Sequence, residues 1–280
     1  MWIPKVDDGP PVIEGLYDQV VEGPEGKFTG AVSAQLSVDI EQKLCVDAMQ
    51  LATLFQKLGY FGRCSFDAVV IGSNDDALII DPVKENISQY INLLDELGLS
   101  LKMVLDTHVH ADHVTGSGLL QKQKGCEVGS PLESAACCGS FSFKDGAILE
   151  LGLLKFKCLF TPGHTDDSYC FYFENPGWIF TGDTLLIRGT GRTDFQNGSA
   201  DNLYESLHQK LLTLPPKTIV YPGHDYKGMT SSTIDEEKNN NPRLLLIKKD
   251  DFINHMNNLK LSDPKMMDVA VPANLKLGLE

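Results

Sequence analysis

From residue 64 onward, short β-type apolar runs alternate with stretches whose apolar residues recur at helical spacing. Phe66 to Ile71, a turn at Gly72-Ser73-Asn74-Asp75 and a second run from Ala77 to Ile80 predict a β-hairpin closed at Asp81-Pro82. Apolar residues at 87, 91, 94 and 97 predict an amphipathic helix over Ile87 to Leu97, ended by Gly98. The run Leu101 to Leu105 predicts a strand, Gly118 to Lys124 a helix, and Val128 the start of another short strand. Ala147 to Leu151, Leu154 to Phe160, Ser168 to Phe173 and Trp178 to Thr181 predict four consecutive strands. Leu203, Leu207, Leu211 and Leu214 mark one face of a helix from Asp201 to Thr213. A strand at Thr218 to Tyr221 and polar helices at Asp235 to Asn240 and Asp250 to Asn258 complete the pattern. Strand pairs interleaved with surface helices predict an α/β (α+β) protein, two sheets face to face with helices outside.

The first 60 residues differ. Residues 1 to about 30 are rich in Pro, Gly and acids, which predicts an extended or partly disordered arm. Val46, Met49, Leu51, Leu54, Phe55 and Leu58 then fit a helix stopping at Gly59, with a strand near Ala52 to Phe55 as the alternative. The expected organisation is an N-terminal extension over residues 1–45 and one domain over 46–280.

Composition narrows the partners. A net charge of −14 and a pI near 4.9 repel nucleic acid and anionic membranes, and no apolar stretch is long enough to span a bilayer. An anionic substrate must therefore be met by local arginines. Asp7, Asp8, Glu14, Asp18, Glu22 and Glu25, with no arginine before Arg63, do not compose a transit peptide. Seven cysteines at irregular spacings, with no C-x-x-C pair, predict reduced thiols. The adjacent pair Cys137-Cys138, preceded by Ala135 and Ala136, reads as a packed helix position in preference to a redox switch.

Chemistry gathers at strand ends. Five of the seven histidines lie in three motifs: Thr107-His108-Val109-His110-Ala111-Asp112-His113, Pro162-Gly163-His164 and Pro222-Gly223-His224. Thr181-Gly182-Asp183 adds a carboxylate, and each of the four motifs follows a β-type run. Imidazole and carboxylate together suit zinc, iron or manganese at an open, catalytic site, because a closed structural zinc site uses cysteines. The spacing leaves one metal or two equally open.

These residues, in this order, resemble the metallo-β-lactamase superfamily. Further segments resemble its persulfide dioxygenase family: Ala111 to Gly118, Leu185 to Gln196, Tyr221-Pro222-Gly223-His224-Asp225-Tyr226 and Val271-Pro272-Ala273-Asn274. The likeness covers roughly residues 64 to 280. It implies an αββα four-layer sandwich holding one Fe(2+) per chain on His108, His164 and Asp183, with His110, Asp112, His113 and His224 around that triad. It implies oxidation of glutathione persulfide with O2 and water to sulfite and glutathione, a step of sulfide catabolism, in the mitochondrial matrix of a eukaryote or the cytoplasm otherwise. A homodimer is a possible assembly.

Arg192, then Arg188, with Tyr226 as hydrogen-bond donor, are the expected glutathione contacts. Arg243 reads equally as a structural partner or a substrate contact. Two departures from the family stand out: Asp166-Asp167 replaces its usual Pro-Gly after Gly-His-Thr, and Cys64-Ser65-Phe66 continues with Asp67-Ala68. The competing enzyme is a dinuclear zinc thioesterase of the glyoxalase II type, which uses the same positions as ligands. The segment Ile187 to Asp194 and the short C-terminal region argue against it. A binding module on a degenerate version of the fold is disfavoured because all seven site positions are present.

Overall fold

The two predicted sheets form and share one aromatic core. The structure, a computed structural model, describes residues 68–279 apart from Lys227 and Asp263. The arm, the segment predicted over Val46 to Leu58 and the chain around Cys64 lie outside the described residues. The first sheet has strand order β1-β2-β3-β4-β5: β1 (Val69–Ser73), β2 (Asp76–Ile80), β3 (Ser100–Leu105), β4 (Glu127–Pro131) and β5 (Phe141–Phe143). The second runs β11-β10-β9-β8-β7-β6: β6 (Ile148–Leu151), β7 (Leu154–Phe160), β8 (Tyr169–Phe173), β9 (Trp178–Gly182), β10 (Ile219–Pro222) and β11 (Ser232–Thr233).

Alternation along the strands creates the layers. In β8 and β9, Tyr169, Phe171, Phe173, Trp178 and Phe180 face the first sheet, whereas Cys170, Tyr172 and Ile179 face outward. In β2, Leu78 and Ile80 meet them, and Ala77 and Ile79 turn to the other side. A register shift opposite Ala77/Leu78 lets Leu101 face out while Met103 and Leu105 face in. The inter-sheet core is dominated by aromatics; Phe156 stacks on Phe173 with centroids 4.6 Å apart, and both are fully buried. Truncating either to Ala costs about 3–5 kcal/mol through lost burial and an unfilled cavity.

Helices close both outer faces. α1 (Ile87–Leu97) and α2 (Ser117–Lys124) are the crossovers that the parallel pairs β2–β3 and β3–β4 require, and Ile87, Tyr90, Leu94 and Leu120 pack on the first sheet. α1 stops where Gly98 takes φ 66°, a conformation open to glycine without a Cβ clash. Over the second sheet lie α3 (Ala200–Glu205), α4 (Ile234–Asn240) and α5 (Lys249–Asn257), anchored by Leu203, Leu207, Leu211, Ile234, Phe252 and Met256. α4 begins with a capping box in which Thr233 and Glu236 exchange side-chain and backbone hydrogen bonds. The result is the expected αββα sandwich. Among the described residues no helix is long and apolar enough to cross a membrane.

The structure differs from the sequence pattern in several places. The helix predicted over Asp201 to Thr213 is regular only to Glu205; a wider turn at Ser206–Lys210 and a tighter one at Leu211–Thr213 follow, with the predicted leucine face still buried. β5 is too short for periodicity to reveal. α6 (Met267–Asn274) is disguised by Pro272 inside it. Cys137 and Cys138 are exposed and lie in no helix. The Cys137 N–H donates to the Leu275 carbonyl at 2.9 Å, and the Ser134 hydroxyl accepts from the Ala136 N–H at 3.2 Å. Tertiary and local side-chain bonds thus take the donors that a helix would use.

Candidate metal centre

Both sheets deliver site residues to one end of the sandwich. The loop after β3 brings His108, His110, Asp112 and His113; the β7–β8 loop brings His164; the ends of β9 and β10 bring Asp183 and His224. The two sheets meet here where the Tyr169 N–H donates to the Thr107 carbonyl at 2.8 Å.

His108, His164 and Asp183 each present one donor atom, all within 4.8 Å of one another. Their outer atoms are committed. The His164 Nδ1 lies 2.8 Å from the Arg192 carbonyl, which can only accept, so Nδ1 carries the proton and Nε2 presents a lone pair. His108 Nδ1 lies 3.0 Å from the Thr107 hydroxyl, which itself donates to Asp81 Oδ2 at 2.9 Å. That hydroxyl therefore accepts from Nδ1, and Nε2 of His108 is again the lone-pair nitrogen. Such outer bonds orient metal-ligating imidazoles and fix their tautomers. Burial, then the neighbouring imidazoles of His110 and His164, push the His108 pKa well below its usual value. His108 is therefore neutral at neutral pH, with Nε2 able to serve as a donor.

Beside this triad, His110, Asp112 and His113 form a second group of three possible ligands. Asp112 Oδ2 accepts from His113 Nδ1 at 3.2 Å and His224 Nε2 at 3.1 Å, and His224 Nδ1 lies 2.6 Å from Asp183 Oδ1. Burial opposes the charge on His224, but Asp183 and Asp112 on either side outweigh it and raise its pKa well above the usual value. The Asp183 carboxyl is held below the ordinary range: burial raises it, and the His224 charge and hydrogen bond overcome that. His110 is pushed down to about 4 by burial and by His113. Its Nε2 meets Asp81 Oδ1 at 3.0 Å, and its Nδ1 is buried with no hydrogen-bond partner. Neutral imidazoles, a carboxylate and this orphaned nitrogen are what a metal centre needs, and the residues fit one.

Residues outside the histidine motifs hold these candidate donors in place. Asp81, at the end of β2 with φ 53°, accepts from the Thr107 N–H at 2.5 Å as well as from its hydroxyl, and burial raises its carboxyl to about 6. Asn274 in α6 donates to the His110 carbonyl at 2.9 Å and the His113 carbonyl at 2.8 Å, and accepts from the Thr115 N–H at 2.8 Å. Gly191 passes so close that an added Cβ would lie 2.3 Å from the Asp183 carbonyl oxygen and 2.8 Å from His164 Nδ1. Sequence reasoning missed these roles. Their only signals were Asp81-Pro82 closing a hairpin, and Asn274 and Gly191 inside segments noted for resemblance.

The expected substrate residues separate. Arg192 lies beside the triad through its carbonyl, while its guanidinium forms a fork with Asp194 at 2.6 and 2.8 Å, donates to the Ser262 carbonyl at 2.7 Å and stacks on Phe195 at 4.4 Å. Arg188 is ion-paired with the fully buried Glu237, which also accepts from Asn241 at 2.9 Å. Arg243 donates to the Thr190 carbonyl at 2.7 Å and hydroxyl at 2.8 Å, which buttresses the segment behind Asp183 and His164. Tyr226 is exposed and stacks parallel to His224 at 5.7 Å. The two added acids stay out of the ligand groups: Asp166 accepts from Asn197, and buried Asp167 accepts from Thr165 and Ser134.

Residues 62–136 and 141–224 match the metallo-beta-lactamase superfamily. The persulfide dioxygenase ETHE1, mitochondrial, of Homo sapiens is 43% identical over 78% of this chain and 85% of its own. The crystal structure of ETHE1 from Myxococcus xanthus superposes with a TM-score of 0.73 at 46% identity, over 76% of this chain and 94% of that one. This chain belongs to the persulfide dioxygenase family. A hydroxyacylglutathione hydrolase of Francisella tularensis subsp. novicida is 35% identical over 54% of this chain and 59% of its own length, a weaker and shorter match. Two imidazoles and one carboxylate in reach of one another are a donor set able to hold a metal ion.

Proposed function

We propose that the protein is a persulfide dioxygenase that oxidises glutathione persulfide with O2 and water to sulfite and glutathione, using one Fe(2+) held by His108, His164 and Asp183. The observation that carries this reading is the triad itself. Three donors converge within 4.8 Å, each imidazole has its Nδ1 proton engaged elsewhere, and Asp183 Oδ1 is taken by His224, leaving one oxygen for the metal. When bound, the iron supplies the redox chemistry by which dioxygen reacts with the terminal sulfur of the persulfide.

The chain's own residues bind, orient and balance charge. His224 holds a proton on each nitrogen between Asp183 and Asp112, which compensates two carboxylates in a buried setting. Asp81 and Asn274 fix the ligand loop, and Gly191 lets the following segment close against the ligands. Arg192 and Tyr226 are assigned to the glutathione carboxylates and amides, a role in which Arg192 exchanges part of its Asp194 and Ser262 bonding for substrate. Arg188, also named for the substrate, is better placed to anchor its own loop on Glu237. The name of the human relative supports a mitochondrial location for a eukaryotic source.

Anaerobic loading with Fe(2+), followed by oxygen-electrode assay with glutathione persulfide, tests the reading. O2 uptake with sulfite release at about one iron per chain is expected. Two zinc ions per chain with hydrolysis of an acylglutathione would replace it with the thioesterase reading.

A further inference from the structure

Cys137 and Cys138 lie in the segment between β4 and β5, their sulfurs 2.9 Å apart, both exposed. Cys138 has φ 78°, a left-handed backbone conformation that few non-glycine residues adopt. The strain is held from both sides: the Cys137 N–H is fixed to the Leu275 carbonyl, and the Ser140 N–H to the Val128 carbonyl at 2.7 Å. The other described cysteines are of another kind. Cys126, Cys158 and Cys170 are buried, and burial raises their thiols to about 11, 12 and 12, which keeps them protonated and inert. Within the described residues, exposure therefore confines reactivity toward a dissolved oxidant to one adjacent pair, in which the hydrogen bond with Cys137 raises the Cys138 thiol.

From this geometry we infer that Cys137 and Cys138 form a redox modification site that closes to a vicinal disulfide by exchange with a small disulfide, independently of the reaction at the metal centre. One thiolate attacks the small disulfide RSSR, forming a mixed protein disulfide and releasing RS−. The neighbouring thiolate then attacks the protein-side sulfur and releases a second RS−. The two thiol protons pass to the released thiolates, so two protein thiols plus RSSR give one protein disulfide and two RSH. The sulfurs must close from 2.9 Å to about 2.05 Å. Adjacent Cα atoms, about 3.8 Å apart, sit below the roughly 4.4–6.8 Å span of ordinary disulfides. The bond is consequently strained and easily reduced again, the character of a regulatory rather than a structural disulfide. The segment also borders the metal centre. Ser134 and Ala136 line a small cavity together with His108, His110 and Asp167, and Ser134 donates to Asp167 at 2.7 Å.

The test uses the full-length protein, reduced and freed of reductant, incubated with oxidised glutathione, then alkylated under denaturing conditions and mapped by mass spectrometry. The expected wild-type product has lost two hydrogens, and the peptide containing residues 137 and 138 carries neither alkyl label nor glutathione. Cys126, Cys158 and Cys170 are expected to be alkylated. Cys137→Ser and Cys138→Ser are each expected to retain one glutathione on the remaining sulfur, because no neighbour resolves it. Full alkylation of both residues in the treated wild type, a stable glutathione adduct there, or a disulfide to Cys45 or Cys64 instead would each overturn the inference.

Discussion

The triad His108, His164 and Asp183 and the neighbouring set His110, Asp112, His113 and His224 are made of the same residue types and differ in where their other atoms bond. In the triad, each histidine spends its Nδ1 on a protein oxygen behind it, which leaves Nε2 aimed at a common point. In the second set, Asp112 binds His113 and His224, and His224 reaches back to Asp183. Two buried imidazoles, His108 and His110, are driven neutral, while His224, caught between carboxylates, is driven cationic. A metal site is thus specified as much by the groups behind the ligands as by the ligands themselves.

The largest expected effect breaks the triad. His108→Ala, His164→Ala or Asp183→Ala removes one of three ligands, and metal affinity should fall by more than the roughly 100-fold that loss of a supporting group can cause. Metal content after desalting is the measurement; near wild-type loading in any one variant would show the triad to be misassigned.

Next in size is Asp81→Ala, which leaves the ligands intact but frees Thr107 and His110. Metal affinity should drop by about 10- to 100-fold, read by competition with a chelator, and an unchanged affinity would remove Asp81 from the site. Asp112→Ala should do less to the metal. With one ion on the triad, the variant keeps close to one metal per chain, whereas a two-metal centre would lose half of its content.

The smallest effect is the pH response of the metal-free protein, in which two members of the second set, His224 and His110, should be shifted in opposite directions. His224 has a raised folded pKa, so its contribution to stability is full below the ordinary imidazole value of 6.5 and is lost as pH rises through the folded value. His110 has a folded value depressed to about 4, so its contribution is full above 6.5 and is lost as pH falls toward 4. Imidazole NMR titration should find His224 still protonated above pH 6.5 and His110 still neutral below it. A shared midpoint near 6.5 would show that Asp183 and Asp112 do not set His224 apart from His110 within the second set.

The order of motifs, each at the end of an apolar run, was enough to predict the layered fold and to single out candidate donors, because a strand's period-two burial and a side chain's ligand chemistry are both local properties. The hairpin before Asp81, the helix ended by Gly98 and the leucine face at 203, 207 and 211 were legible for the same reason. What depended on residues far apart in the chain was not. Asn274 reaches His110 and His113 across more than 160 positions, and Glu237 pairs with Arg188 from 49 positions away. The choice of coil over helix at Cys137 rests on the carbonyl of Leu275. Side-chain type and spacing are written in the chain itself, but tautomer, charge state and the partner of each donor are set by neighbours that only the folded structure brings together.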